Sequence, residues 1–221
     1  MKRKLVFLGG LGDPLTIASA IVDGQQRAGD ETVEIAGFLN DRLAKGEQVG
    51  PYAVLGGLDE AEALIRSGCL FVNGIYRIDG NQTRIDMFEA LGIPDEQLFN
   101  FIHPTAYVAP GVRLGPGCIL MPNVCVSQTV SFGKGCIVLQ GASVGHDNTI
   151  ADYVHISAQA CLGAYLNIGR GVHIGMNATV REHVSMGAYS ALGMGSALLG
   201  STQAYEIWVG NPARLLRQAD A

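Results

Sequence analysis

Charge is what this sequence has least of: 16% of its 221 residues are Asp, Glu, Lys or Arg, against about 25% in an ordinary soluble domain. Basic charge is the scarcer sign, with 15 Lys and Arg against 20 Asp and Glu, a formal net charge of −5. A protein that grips nucleic acid by its phosphates carries a basic footprint, so that class is excluded. Long apolar runs are also absent. None approaches the roughly 18 residues of a membrane span, so no membrane partner is expected. Met1-Lys2-Arg3-Lys4 before Leu5 to Leu8 has the outline of a secretory signal. Asp13 and Pro14 end that stretch early and no small-residue cleavage site follows, so a cytoplasmic protein is expected. The cysteines are five (69, 118, 125, 136 and 161), odd in number and without a CxxC pair. Reduced thiols are the expectation.

Glycine is abundant, at 30 residues, yet it does not fall at every third place, which excludes collagen. An apolar content of 48% excludes disorder. The glycines belong to a different period. From Ile102 to Leu198 every sixth residue is apolar, at seventeen of seventeen positions. Gly follows directly at 115, 133, 145, 163, 169, 175, 187 and 193. Two places before the apolar residue the side chain is often small, as at Ala106, Cys118, Cys136, Ala142, Ala160, Ala178, Ser190 and Ser196. Pro104, Pro110, Pro116 and Pro122 keep the same spacing, where they would break a helix but suit a repeated turn.

A period of six fits neither an α-helix nor a plain alternating hairpin. It fits a solenoid of short strands and turns, eighteen residues to a three-sided coil, with the aliphatic residue inward and glycine taking up the backbone angles of the corner. Coils stacking by parallel pairing at roughly 4.8 Å would build about five turns. Only seven residues from Pro104 to Leu198 are charged: Arg113, Lys134, Asp147, Asp152, Arg170, Arg181 and Glu182. So neutral a surface is explained by burial of the sides against copies of the same chain.

The first hundred residues read differently. Strands are expected at Lys4–Leu8, Thr32–Leu39, Tyr52–Leu55 and Leu70–Val72, and helices at Thr16–Arg27, Asp59–Ser67 and Gln82–Leu91. Asp59 is an N-cap candidate. The alternation predicts a small parallel α/β domain over residues 1–100, with its crevice at the carboxyl ends of the strands. Gly9, Gly10, Gly12, Asn40, Asp41, Asn73 and Gly74 then share one rim. Gly9-Gly10-Leu11-Gly12 would let a phosphate approach the backbone closely, or would be a tight turn and no more.

In the repeat, His146-Asp147 stands out, since Asp147 and Asp152 are the only formal charges between Lys134 and Arg170. A carboxylate beside an imidazole orients it and raises its basicity. His155 lies half a coil away, on another side, and stacks over His173 one coil further on.

The repeat resembles the hexapeptide-repeat acyltransferases, over residues 102 to about 217. That resemblance, and not the period, implies a left-handed parallel β-helix over residues 101–221. With an α/β domain in front, the chain is similar to the bacterial nucleotide-sugar N-acetyltransferases and sialic-acid O-acetyltransferase-like proteins. There the first strand is usually followed by Gly-x-Gly-Gly-His, where this chain has Gly9-Gly10-Leu11-Gly12-Asp13, and the second often by paired Asp, here Asn40-Asp41. The resemblance implies a Rossmann-like nucleotide-sugar domain, acetyl-CoA as co-substrate with no metal, a homotrimer with acetyl-CoA between subunits, and a place in glycan or lipopolysaccharide biosynthesis. It makes His146 the general base, oriented by Asp147. It puts His155, Gly175, Gly193, Ala213 and Arg214 on the CoA side, with Arg217 a further candidate for the CoA phosphates. Val209-Gly210-Asn211-Pro212-Ala213-Arg214 is similar to the closing segment of that family. The expected reaction is N-acetylation of a nucleotide-linked amino sugar. Sugar O-acetylation and a non-catalytic trimeric scaffold remain alternatives. A metal enzyme of the γ-carbonic-anhydrase kind needs two His five residues apart, and the His gaps here are 43, 9, 18 and 10.

Overall fold

The computed structural model describes residues 2–10, 12–30 and 32–219. The chain divides into two compact units. The first runs to Tyr76 and resumes over Arg84–Asn100; the second comprises Arg77–Thr83 and the chain from Phe101 onward.

In the first unit β1 (Arg3–Gly9) lies inside the sheet, between β2 (Val33–Leu39) and a later strand. Its Leu5-Val6-Phe7-Leu8 run is fully buried, as expected of a strand covered on both faces. α1 (Asp13–Ala28) follows, with Pro14 in its first turn and a left-handed Gly29 closing it. That is the usual Pro-start, Gly-stop asymmetry. Ile17, Ala18, Ile21 and Gly24 form its buried stripe. Next come β3 (Gln48–Val49), β4 (Tyr52–Gly56), α2 (Ala61–Arg66) and β5 (Leu70–Gly74). The strand order is β3-β4-β2-β1-β5, parallel except for β3, which pairs antiparallel to β4. The sheet is thus mixed at one edge. The Gln48–Val49 strand is too short for any periodicity to announce it. Asp59 is not a cap: it lies inside a 3-10 turn, Leu58–Glu60, that precedes α2 and has Gly57 at its N-cap.

The second unit is a β-helix of seventeen two-residue strands, from Phe101–Ile102 to Ala197–Leu198. Successive coils pair parallel and in register, as Ser143↔Cys161 and Val144↔Leu162. The strands form three sheets. One holds Tyr107–Val108, Cys125–Val126, Ser143–Val144, Cys161–Leu162, Thr179–Val180 and Ala197–Leu198; a second runs from Arg113–Leu114 to Ser185–Met186; the third runs from Phe101–Ile102 to Ala191–Leu192. The sixth-place residues from Leu120 to Leu198 point inward and are buried. At the open first coil the pattern gives way: Ile102 is 44% exposed, because no earlier coil covers it.

The glycines do not do what the period suggested. Those directly after the inward residue have ordinary φ, and the left-handed corner falls two places later. Of the fifteen such corners from Gly111 to Gly195, six hold glycine, and the rest hold Asn, Asp, Gln, Thr, His or Tyr. The first-mentioned glycines are there for clearance instead. A Cβ on Gly145 would lie 2.6 Å from the Gly163 carbonyl oxygen, and one on Gly163 2.6 Å from the Glu182 nitrogen. Coils at strand spacing leave no room for a side chain there. Cys118 and Cys136 are buried inside and free, each with its thiol on a backbone carbonyl, of Gly133 and Ala151 respectively, at 3.1 Å. The helix is closed by Glu206–Val209, parallel to Ala191–Leu192, which turns back antiparallel into Arg214–Gln218.

Candidate active site

The corner between Ser143–Val144 and Thr149–Ile150 carries Gly145-His146-Asp147-Asn148. Asp147 has φ 56, one of the left-handed corner positions, where Asp is among the better-tolerated residues. Its amide donates to the Gln128 carbonyl one coil before, at 3.2 Å. Asn148 fastens the corner from inside. It is 1% exposed; its amide donates to the carbonyls of Gly145 (2.8 Å) and Gly163 (2.9 Å), and its Oδ1 accepts the Leu166 N–H (2.7 Å). The sequence reading passed over Asn148. A signal was present: it stands two before Ile150, where other coils carry small or apolar side chains.

On this fixed corner His146 Nδ1 lies 2.7 Å from Asp147 Oδ2, with side-chain exposures of 46% and 36%. A carboxylate only accepts, so Nδ1 carries the proton and Nε2 is left as an acceptor. The pair is therefore an accessible base with an oriented ring. Tyr165 meets the His146 ring edge-to-face at 5.2 Å, and His183 stacks on Tyr165 at 4.8 Å and 4°.

His155 and His173 do stack, at 5.3 Å and 24°, on paired strands. Both are buried, His155 to 4% exposure, with Ser157 Oγ 3.5 Å from His155 Nδ1. His155 thus belongs to the covered third sheet and not to the open corner of His146. His103 is buried with Nδ1 2.8 Å from Thr105 Oγ1.

Another corner, between the third sheet and the first, carries Gly175 and Gly193. Both stand at clearance positions: added Cβ atoms would meet Met194 N at 2.6 Å and Val209 Cγ1 at 2.8 Å. Beside them Met176 and Met194 are exposed, as is Val209. Ala213 is buried, its amide on the Ala197 carbonyl at 2.8 Å. Arg214 is exposed and donates to its neighbour's carbonyl, that of Ala213, at 2.9 Å; among the described residues it has no carboxylate partner. Arg217 is paired with Asp79.

In the first unit the rim residues do come together. Gly9 ends β1 beside Gly74 at the end of β5, and a Cβ on Gly9 would lie 2.7 Å from the Gly74 carbonyl oxygen. Asn40 donates to the Gly9 carbonyl (3.1 Å) and accepts from Arg42 N (2.8 Å). Asp41 accepts from Leu58 N (2.7 Å), and Asn73 from Ile75 N (2.9 Å). A Cβ on Gly10 would sit 3.3 Å from Asn40 Nδ2. Gly12, with φ 102, precedes α1; Leu11 lies outside the described residues. Burial, with Asp13 adding to it, holds the Tyr76 phenol well above its usual range.

Among the described residues no group of three or more His, Cys, Asp or Glu is arranged to hold a metal ion, and no helix is long and apolar enough to cross a membrane. No protein-family model and no curated protein matches the sequence. Solved structures do. The acetyltransferase domain of PglB from Neisseria gonorrhoeae, in complex with acetyl coenzyme A, is 26% identical with a TM-score of 0.82, covering 98% of this chain and 100% of that chain. A variant of perosamine N-acetyltransferase from Caulobacter crescentus, in complex with CoA and GDP-perosamine, is 23% identical with a TM-score of 0.80, over 96% of this chain and 97% of that one. WeeI from Acinetobacter baumannii is 23% identical with a TM-score of 0.79, over 96% and 100%. By its repeat and by its fold, the chain has the hexapeptide-repeat β-helix architecture of these acetyltransferases, with a small α/β unit before it.

Proposed function

We propose that this protein transfers the acetyl group of acetyl-CoA to the amino group of a nucleotide-linked sugar. One observation carries the reading: an open corner of an acetyltransferase-type β-helix holds an imidazole whose Nδ1 is tied to a carboxylate and whose Nε2 is available. Acetyl-CoA supplies the acyl group as a thioester. The residues fit such a ligand: exposed Met176 and Met194 offer an apolar ledge beside Gly175 and Gly193, and Arg214 at the closing segment offers a cation for phosphate. The rim of Gly9, Gly10, Gly12, Asn40, Asp41, Asn73 and Gly74 is assigned to the nucleotide sugar.

His146 Nε2 takes the proton that the amine nitrogen loses as its bond to the acetyl carbon forms. The carbon–sulfur bond breaks, and that proton passes to the departing thiolate. Asp147 keeps the imidazole in the right tautomer and stabilises it while charged. Holding thioester and amine together supplies the rest. His155, buried against His173, is given no step. Assembly as a homotrimer, cytoplasmic action and service in glycan biosynthesis complete the proposal.

The test is thiol release from acetyl-CoA with UDP-, GDP- and dTDP-linked amino sugars, with product mass read in parallel. One of them should gain an acetyl group on nitrogen. No acceptor-dependent release with any amino sugar would end the reading. Transfer to a sugar lacking an amine, such as sialic acid, would replace it by O-acetylation.

A further inference from the structure

The His146 ring is half exposed, and its one side-chain hydrogen bond is to the adjacent residue. That bond fixes Nδ1 but leaves the ring free to swing about it. What restrains it lies one coil further on. Tyr165 stands above the same corner, its amide donating to the His146 carbonyl at 3.2 Å. Its ring meets the imidazole at 5.2 Å and 88°, and is itself clamped by His183, nearly parallel at 4.8 Å. His183 is tied down in turn by its amide on the Ala164 carbonyl, at 3.0 Å.

Tyr165 and His183 both occupy left-handed corners, with φ 57 and 60. That conformation is unfavourable for a bulky aromatic, and glycine fills six of the equivalent places. The two other tyrosines at these corners, Tyr153 and Tyr189, have a partner on another segment, Arg170, which lies over one ring and donates to the other hydroxyl. The rings against Tyr165 are the two histidines. One end of this aromatic column is the site's base.

We propose that Tyr165 is a positioning residue of the active site: backed by His183, its ring fixes the His146 imidazole so that Nδ1 meets Asp147 and Nε2 stays outward. The proposal rests on the reading of His146 as the base. It adds a way in which the repeat itself, through residues nineteen and thirty-seven places on, sets the geometry of that base.

The test combines heteronuclear NMR of histidine-labelled full-length protein with acetyl-transfer kinetics. Tyr165→Asn and His183→Asn remove the rings while keeping a residue that accepts a left-handed corner; Tyr165→Phe keeps the ring. In the wild type, His146 should show one tautomer, protonated at Nδ1. Tyr165→Asn should give a mixture of tautomers, His183→Asn a smaller change, and Tyr165→Phe none. In turnover, Tyr165→Asn should lower kcat roughly tenfold or more with KM for acetyl-CoA little changed, and Tyr165→Phe should restore it. A His146 signal unchanged in both Asn variants overturns the proposal, as does an equal loss in Tyr165→Phe, which would assign the effect to the hydroxyl. If Tyr165→Asn fails to fold, His183→Asn decides alone. The NMR signal needs no acceptor, so a wild type inactive on every sugar sinks the enzymatic reading and still shows whether Tyr165 holds the ring.

Discussion

His146 was visible in the sequence because so little around it is charged. In a stretch where Asp147 and Asp152 are the only carboxylates, an adjacent His–Asp pair has few structural alternatives. The fold makes the pair real, at 2.7 Å on an open corner. Its consequence is measurable. General-base catalysis is worth about a hundredfold to ten-thousandfold, so His146→Ala should lower kcat at least a hundredfold with KM for acetyl-CoA nearly unchanged. Asp147→Asn should cost less, since the imidazole stays. Circular dichroism should show both variants folded, because neither side chain enters the core. A folded His146→Ala keeping more than a tenth of wild-type kcat would leave the rate to positioning alone. What surrounds the pair was less legible. Asn148 breaks the small-residue pattern by type, but two of its three hydrogen bonds reach Gly163 and Leu166, a coil away, and no local pattern counts those. The aromatic column was hidden for the same reason: its touching side chains lie nineteen residues apart at His146 and Tyr165 and eighteen at Tyr165 and His183.

The coil itself was almost fully legible. An unbroken period of six carries the strands, the inward face and the pairing of His155 with His173. The glycines were misassigned because the period shows where they fall and not what they avoid. The left-handed corner lies two places past them, and polar or aromatic residues hold it more often than glycine does, most of them with the amide tied to the backbone of the coil before. The two roles separate by mutation. Gly163→Ala drives a Cβ against the Glu182 backbone nitrogen at 2.6 Å, whereas at Gly195 (φ 65) nothing lies within 4 Å and only the backbone angle resists. Overpacking against a rigid neighbour costs up to about 3 kcal/mol, and a left-handed alanine about 1 kcal/mol. Gly163→Ala should therefore lower the melting temperature several degrees more than Gly195→Ala. Equal shifts would mean that clearance is not what glycine supplies. In the first unit the long elements were found within a few residues. The 3-10 turn at Leu58–Glu60 and the two-residue β3 were missed, being shorter than any period that could signal them.

At the scale of the whole molecule, two buried groups, the Cys136 thiol and the Tyr76 phenol, hold their protons in the folded state. Burial pushes the Cys136 thiol well above its ordinary 9.0, and the Tyr76 phenol is raised well above 10.0. A group whose folded value is raised lends stability below its unfolded value and loses it as pH climbs. Melting temperature should thus fall as pH rises past about 9, and Cys136→Ala should flatten the start of that fall. A curve of unchanged shape in the variant would remove Cys136 as its cause. The cysteines were expected to be reduced, and all five are free. The homotrimer proposed above has a geometric rationale in the β-helix. His146 and the Gly175–Gly193 corner flank opposite edges of one sheet, a separation on the order of 15 Å at strand rise. That sheet's outward side chains beyond Tyr107 are Cys125, Ser143, Cys161, Thr179 and Ala197, all small and uncharged. The proposed base on one edge and the proposed CoA contact on the other join in one site only if the edge of one chain lies beside the other edge of its neighbour. Where its rotation closes, such a head-to-tail contact makes a ring, and three copies suit a three-sided coil. Light scattering at micromolar concentration should give three times the chain mass. His146→Ala and Arg214→Ala, each nearly inactive alone at low acetyl-CoA, should recover about a quarter of wild-type activity when co-expressed, since random mixing in a ring leaves that fraction of junctions with both native residues. A monomer, or no recovery on mixing, would mean that one chain holds the whole site.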